Sequence, residues 1–566
     1  MSKTCDREAK PLGRAQARLA PVAPVSVSVS VSVSLIQRCW VVLRILLDLR
    51  PHDFRAAATF VKRMYPGQML PVRYCRFALW TLYQAFGVIP AALQNATFSQ
   101  PVSRTPFWLK NDNPLANYPW QDQPDATLPE SAEVVVIGAG FTGGSLAYHW
   151  AKASPTGKQM VVLEMDDPAS GASGRNGGEV LMGRYFAFVH STVTENLKHS
   201  RPNLDAVGRD LLAKCFARAY CHAAYRNAEL IERTIREEGF DCDYVREGWV
   251  QARTADEQHH LEESVRMGQE HGFTDWVKLS PQEATEKTGA NITTRETFSQ
   301  KAGQFHPAKW VWSLFTRALQ SPEVKLFCRT KVLSIQDAGE FYEVKTSRGL
   351  IHAKHVVNAT ESYTPNLHKQ FRNVILPKQS QLAAGTDEGK SLKPNVTLSS
   401  STSFMGRHAT HLHFGSDETR VPDRQIGRNQ PSRFITKYLI GELRRVYDWF
   451  PLRVTHEWSG TMGFTQDEFP IVGVMDGRRQ YIVAGMCGSG TAVSFNAGRC
   501  LCNRILGNTS EPDDYPEAYF SPTRLLSPES HRWPELEMEG EAVCHQAERD
   551  DVMEKPYPQH ADGRCR

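Results

Sequence analysis

The sequence predicts an α/β fold with a parallel sheet buried on both faces, and three observations carry that expectation. The run Glu133-Val-Val-Val-Ile137 is almost wholly apolar, as a strand covered on both sides must be. It leads straight into the glycine turn Gly138-Ala-Gly140-Phe-Thr-Gly143, after which residues 144–152 read as a helix. A second apolar run, Met160-Val-Val-Leu163, follows and ends in Glu164. Strand, glycine turn, helix and strand in that order make a βαβ unit.

Composition sets the frame for that unit. The chain has 566 residues, 41% of them hydrophobic and 23% charged, which is globular composition. At roughly 150 residues each, it is long enough for about two to four domains. Lysine and arginine number 66 against 62 acids, a net charge of +4, and this near-balance argues against nucleic acid as a partner. The twelve cysteines are scattered, with no C-x-x-C pair and no clustering with histidine, so neither a zinc site nor a disulfide framework is indicated. Nothing at the N-terminus has the order of a secretory signal, and the chain reads as intracellular with reduced thiols. Cytoplasm is the expected compartment; mitochondrial and membrane-peripheral locations are the alternatives.

The ends differ from the middle. Residues 1–34 finish in Val-Ser alternation, a low-complexity tract read as disordered. Residues 39–49 form an interrupted apolar run read as an amphipathic helix, and residues 77–93 an uncharged run broken by Pro90. Membrane association through 39–93 is the second reading of these runs, after helices packed on the body. Residues 511–566 are polar, without period, and read as a partly ordered tail.

Within the βαβ unit each residue has a physical task. Gly138 permits the tight turn, Gly140 lets backbone approach a pyrophosphate, and Gly143 lets helix and strand pack closely. The helix N-terminus, with Phe141 and Thr142, faces the anion. Glu164 accepts hydrogen bonds from ribose hydroxyls, and its charge repels a 2'-phosphate, which selects FAD or NAD over NADP. FAD is indicated by the downstream tract Ala169-Ser-Gly-Ala-Ser173-Gly-Arg175-Asn176-Gly177-Gly178, whose backbone freedom implies close approach to a ligand. A meander of short strands beginning at Val332 returns to a buried strand ending in Asn358-Ala359-Thr360, where the small Ala359 admits the dinucleotide. The sequon at Asn358 falls inside that strand and is discounted. Near the C-terminus, a strand at 480–485, a turn containing Gly488, Ser489, Gly490 and Thr491, and a helix from 492 to 506 provide a second positive helix end. No second G-x-G-x-x-G unit follows, so no nicotinamide site is expected.

Four blocks in this order, residues 136–144, 171–178, 356–364 and 465–473 leading to 485–490, resemble the D-amino-acid-oxidase-like family of FAD-dependent oxidoreductases, which includes sarcosine, glycine and gamma-glutamylputrescine oxidases. The resemblance runs from about Thr105 to Gly507. Trp108 and Pro114-Leu-Ala-Asn117 look like the family's short lead-in. The resemblance implies a Rossmann-like FAD-binding domain of discontinuous segments (105–195, 300–375 and 455–510) and an α+β substrate domain with a mixed sheet (196–299 and 376–454). Residues 1–104 are then an N-terminal extension and 511–566 a polar tail. The family's cysteine-linked flavins attach shortly before the T-x-D-E segment, where this chain has Gly460 and Thr461, and no histidine precedes Arg175 in the early loop. Noncovalent FAD is therefore expected.

The resemblance implies oxidation of the C–N bond of an amine or amino acid by hydride transfer to flavin N5, with the imine product hydrolysed. The alternative is a flavin-stabilised binding or trafficking protein without turnover. No lysine occurs between Lys393 and Lys437, where oxidases of this family carry one near the flavin, so the electron acceptor is oxygen or an unidentified molecule. Candidate catalytic residues are His306, which also fits a place at the start of a helix, Tyr363 and Arg407; Arg184 and His413 are further candidates for polar contacts to substrate. No metal site is expected.

Overall fold

A computed structural model describes residues 68–83, 86 and 96–534, apart from 154–155, 181–185, 254, 291, 293–294, 300, 388–391, 395, 401–402, 417–429, 447–450 and 476–478, together with positions 35, 36, 39, 40 and 43. Two large sheets organise it. In the first, the strands run in the order Val332–Asp337, Tyr342–Thr346, Leu350–Asn358, Ser131–Ile137, Met160–Leu163 and Val324–Phe327, with Gln480–Ala484 also joined to Leu350–Asn358 and Ile471–Val474 beyond it. The central strands are parallel, with Val136 opposite both Val357 and Val162, and Val162 opposite Leu326. Their side chains are buried on both faces, which is why the sequence reads there as unbroken Val, Leu and Ile.

Helices Phe141–Ala153, Pro307–Ala318 and Gly490–Leu506 lie against this sheet. Ser145 donates to the Phe495 carbonyl at 2.6 Å across the contact between the first and last of these. The 33-residue helix Ala206–Glu238 packs on the same core; Asp205 caps its start by accepting from the Gly208 amide, and Gly239 closes it in the left-handed conformation.

The second sheet is mixed and nine-stranded, in the order Ala96–Ser103, Leu452–Thr465, Ile375–Thr386, His411–Ser416, Phe404–His408, Thr397–Ser399, Trp249–Arg253, Arg295–Ser299 and Trp276–Leu279. One face packs through Leu382, Ala384 and Trp458 into the core shared with the nucleotide sheet; the other packs through Met405, Leu412, Phe414 and Val454 against helix Arg433–Val446. The sheet is thus a roof with an inner and an outer face.

Several expected boundaries move. Ala96–Ser103 is an edge strand of the roof and not part of a detached extension, and Leu452–Thr465 is one continuous roof strand that a boundary at 455 would cut. Helix Ala206–Glu238 packs with the nucleotide half although it falls in the range expected for the substrate domain. Of the polar tail, residues 511–534 dock on the body: Tyr515, Tyr519 and Phe520 are buried, with Phe520 beside Phe216, and Arg524 donates to the Asp467 carboxylate and to the Phe469 and Pro470 carbonyls. Asn358 is fully buried, donating to the Tyr481 carbonyl and accepting from His368. No helix among the described residues is long and apolar enough to cross a membrane.

Because Arg524 is buried and its partners are committed to it, Arg524→Ala is expected to lower the free energy of unfolding by about 3 kcal/mol, read from urea denaturation. A change below about 0.5 kcal/mol would mean that the docked tail carries no stability.

Candidate functional site

The glycine turn brings three backbones into close approach. Gly138, at φ +108°, donates its N–H to the Leu163 carbonyl at 2.8 Å, and a Cβ there would lie 2.5 Å from the Ala359 carbonyl oxygen. A Cβ at Gly143 would lie 2.0 Å from the Gly138 oxygen, and one at Gly140 would lie 2.7 Å from Ser173 Oγ. That hydroxyl accepts from the Phe141 amide at 2.9 Å, so the glycine-rich loop begins against the helix N-terminus. Phe141 and Thr142 are buried in the first turn, with Phe141 stacked on Phe305.

Glu164 ends strand Met160–Leu163 as expected. Its Oε2 accepts from the Ala139 amide at 2.8 Å and its Oε1 from the Asp166 amide at 2.9 Å. Burial pushes its pKa up, against the opposing pull of these hydrogen bonds. Val332 is buried beside Val161 and Leu163 in the sheet core, and the Thr360 hydroxyl bonds to that of Thr364.

Residues 172–178 join the two halves of the molecule. The Arg175 guanidinium is held by the Ser170 carbonyl (2.8 Å) and by the Ser459 carbonyl on the roof (3.0 Å), while the Arg175 carbonyl accepts from the Trp458 indole at 2.9 Å. Asn176 shapes the loop, donating to the Ala172 and Ser173 carbonyls and accepting from the Gly178 amide; its own carbonyl accepts from the Trp108 indole at 2.7 Å. Gly177 lies against Phe404 on the roof's inner face, and Gly178 against Phe305 and Trp108.

At the opposite end of the crevice, Gly488 has open space where a side chain would project, at φ +86°. Ser489 begins helix Gly490–Leu506 without a side-chain cap, so the positive helix end is not satisfied by the protein's own hydroxyls; the Thr491 carbonyl accepts from Asn227. Glu361, to which sequence reasoning gave no role, holds this end together. At φ +47° its carboxylate accepts from the Gly463 amide of the roof at 2.6 Å and from the Met486 amide of the last turn at 2.9 Å. Burial raises its pKa too. The available signal was an acid directly after the Asn-Ala-Thr end of a buried strand.

The three candidate catalytic residues take different places in the structure. His306 is 2% exposed and caps helix Pro307–Ala318 through Nδ1, which accepts from the Lys309 amide at 3.2 Å; its Nε2 meets the Asn111 amide. Tyr363 is half-buried in the turn after Thr360, in the field of Arg175, Glu164 and Glu361, which puts it on the nucleotide side. Arg407 is a correction: it is buried in an ion pair with Asp387, donates to the Leu392 carbonyl at 2.6 Å and shares the outer face with Met405, so it is a structural cation rather than a substrate anchor. Arg184 lies outside the described residues.

The inner face carries histidines instead. Trp108 packs edge-on to His306, His408 and His413, and Phe107 packs against His411 and His456. His413 is 1% exposed, and neither ring nitrogen has a hydrogen-bond partner. Burial pushes His306 and His413 down to about 3 and His411 to about 4, so these rings are neutral at neutral pH. No group of metal-ligating side chains occurs among the described residues. Lys378, on strand Ile375–Thr386 opposite Met462, shares this face with Leu382 and Ala384; its ammonium lies 3.9 Å from the Phe464 ring centroid. The turn without room for a Cβ, the ribose-type acid, the open Gly488 and the uncapped helix end together fit FAD.

Comparison with known proteins agrees. The family model described as DAO, FAD dependent oxidoreductase, matches residues 133–504. The chain is 23% identical over 403 residues to a probable oxidoreductase OrdL of Haemophilus influenzae, covering 68% of this chain and 85% of the relative. It is 23% identical over 402 residues to the gamma-glutamylputrescine oxidoreductase of Escherichia coli, covering 69% and 88%. Its fold is similar to that of glycine oxidase from Geobacillus kaustophilus, with a TM-score of 0.56 and 17% identity over 70% of this chain and 99% of the other.

Gly140→Val and Glu164→Arg are each expected to give colourless protein, measured by flavin absorbance of the purified variant; yellow protein with full cofactor content would contradict the cradle. The buried neutral histidines set an acid limit. With a folded pKa near 3, His306 binds a proton later than it does in the unfolded chain, so its contribution is complete above the ordinary value of about 6.5 and is lost as pH falls towards 3. His306→Asn keeps a cap and removes the titration. It should flatten the loss of stability between pH 6 and 4 by about 1.4 kcal/mol per pH unit, read from urea unfolding at each pH.

Proposed function

This chain belongs to the FAD dependent oxidoreductase (DAO) family, and from that premise we propose that it oxidises the carbon–nitrogen bond of a small amine or amino acid, the imine product then being hydrolysed by water. Bound FAD supplies the hydride acceptor. The convergence of four separated segments on one crevice under the roof carries the reading: the turn 138–143, the loop 172–178, residues 359–361 and the turn 488–490.

The residues of this chain do the positioning. The first turn of helix Phe141–Ala153 receives the pyrophosphate, Glu164 the ribose, and the N-terminus of helix Gly490–Leu506 the edge on which negative charge collects during reduction. Glu361 and Arg175 tie the roof strand Leu452–Thr465 to the nucleotide half at Gly463 and Ser459, which fixes the inner face against it there. An amine gives up hydride as the neutral base. The neutral imidazoles and aromatic rings of the inner face solvate an ammonium poorly and favour that form, which removes the need for a dedicated general base. Of the cations on this face, Lys110 over Phe107 and Lys378 over Phe464, Lys378 is the one assigned to a substrate carboxylate. The acceptor that reoxidises the cofactor is oxygen or a separate electron carrier.

The test is anaerobic mixing of the purified yellow protein with N-methyl amino acids, free amino acids and polyamines while flavin absorbance is followed. Bleaching by a member of the panel is expected, and readmitted air that restores colour identifies oxygen as acceptor. Lys378→Met should raise the half-saturating concentration of carboxylate-bearing substrates by about tenfold and leave polyamines unaffected. A protein that stays yellow with the whole panel would be the stable binding protein of the alternative reading.

A further inference from the structure

The stretch that precedes the roof is cationic and apolar out of proportion to the rest of the chain. Residues 35–95 contain eight lysines and arginines against two acids, whereas the other 505 residues contain 58 against 60. Within it, helix Leu70–Tyr83 has the sequence LPVRYCRFALWTLY, with no acid at all. Leu70, Leu79 and Leu82 are 59%, 67% and 49% exposed, and Val72, Tyr74 and Tyr83 are exposed as well. Arg73 and Arg76 lie one turn apart, on one side. A helix this apolar and this uncovered is not a water-facing element.

The fourteen described residues of this helix rise about 21 Å, and their exposed apolar side chains suit a helix lying along a membrane surface. Ala96–Ser103, the edge strand of the roof, follows this helix in sequence, and its Ala96 stands opposite Leu452. We propose that helix Leu70–Tyr83 docks this protein on an anionic phospholipid surface, the exposed Leu70, Tyr74, Leu79, Leu82 and Tyr83 side chains entering the interface and the acid-free, cationic sequence of the helix drawing it to lipid phosphates. The sign of the charge selects this occupant. Two copies meeting through this helix would bring the two arginines of one against the two of the other with no acid to offset them, whereas an anionic leaflet attracts each cation.

Vesicle binding is read without turnover, so it stands or falls apart from amine oxidation. Full-length flavin-loaded protein is sedimented with vesicles of phosphatidylcholine alone or of phosphatidylcholine with phosphatidylserine, in about 0.1 M and about 0.5 M salt. Sedimentation with the serine-containing vesicles only, reversed at the higher salt, is expected. Arg73→Gln with Arg76→Gln should weaken partitioning roughly thirtyfold, and Leu79→Ser with Leu82→Ser should abolish it. Both pairs should retain flavin absorbance and the wild-type unfolding midpoint, and the lipid and salt comparison on wild type needs no variant. Protein that stays in the supernatant throughout, or that binds neutral vesicles equally, overturns the proposal. So does a vesicle-free dimer that Leu79→Ser with Leu82→Ser disperses, because a second copy would then cover the helix.

Discussion

A Cβ at position 143 would sit 2.0 Å from the Gly138 carbonyl oxygen, and one at 138 would sit 2.5 Å from that of Ala359. Every other feature of the nucleotide half is arranged around this closeness of backbone to backbone. The helix can start immediately beyond strand Ser131–Ile137 only because no side chain intervenes, so its positive end opens on the crevice. The neighbouring strand Leu350–Asn358 then delivers Ala359 and Thr360 to the same point, and Ser173 closes it from the third side. A methyl group at either glycine would push these segments apart and open the cradle that the cofactor needs.

Two buried charged groups hold the roof to this cradle. Arg175 reaches from the glycine-rich loop to the Ser459 carbonyl, and Glu361 reaches from the end of a nucleotide-sheet strand to the amides of Gly463 and Met486. Burying a charge is costly unless hydrogen bonds replace the lost water, and both groups are surrounded by backbone partners that do so. Strand Leu452–Thr465 is therefore tied at two points four residues apart, Ser459 and Gly463. The crevice height follows from these ties, because the strand between them is paired along its length with Ile375–Thr386.

The two faces of the roof carry different sets of polar groups. The outer side holds the Arg407–Asp387 pair and the Glu457 carboxylate bonded to Arg433 and Thr436, all of them structural. The inner side presents imidazoles packed around Trp108 and Phe107, with the Lys110 ammonium over the Phe107 ring, Asp243 bonded to His408, and Lys378 further along. This segregation suits a reaction whose substrate must shed a proton before it reacts, since a dry, weakly polar wall favours the uncharged amine.

Local features were legible in the chain. Unbroken apolar runs specify strands buried on both faces, and glycines at fixed offsets specify the turn. An acid ending the second strand marks the position where a ribose contact is proposed, and each of these signals lies within about 30 residues and constrains backbone conformation directly. The structure places Gly138, Gly140, Gly143, Glu164, Ser173 and Ala359 together as that pattern implies. What only the tertiary structure decided depends on register and on partners far away in sequence. Arg407 lies on the outer face because side chains alternate along a strand, and a one-residue shift in pairing, invisible in the sequence, exchanges the faces. Glu361 acquires its role from amides 102 and 125 residues distant, and Arg524 from a carboxylate 57 residues before it. Composition alone cannot announce such contacts, since a buried charge and a solvated one are the same letter until packing removes the water.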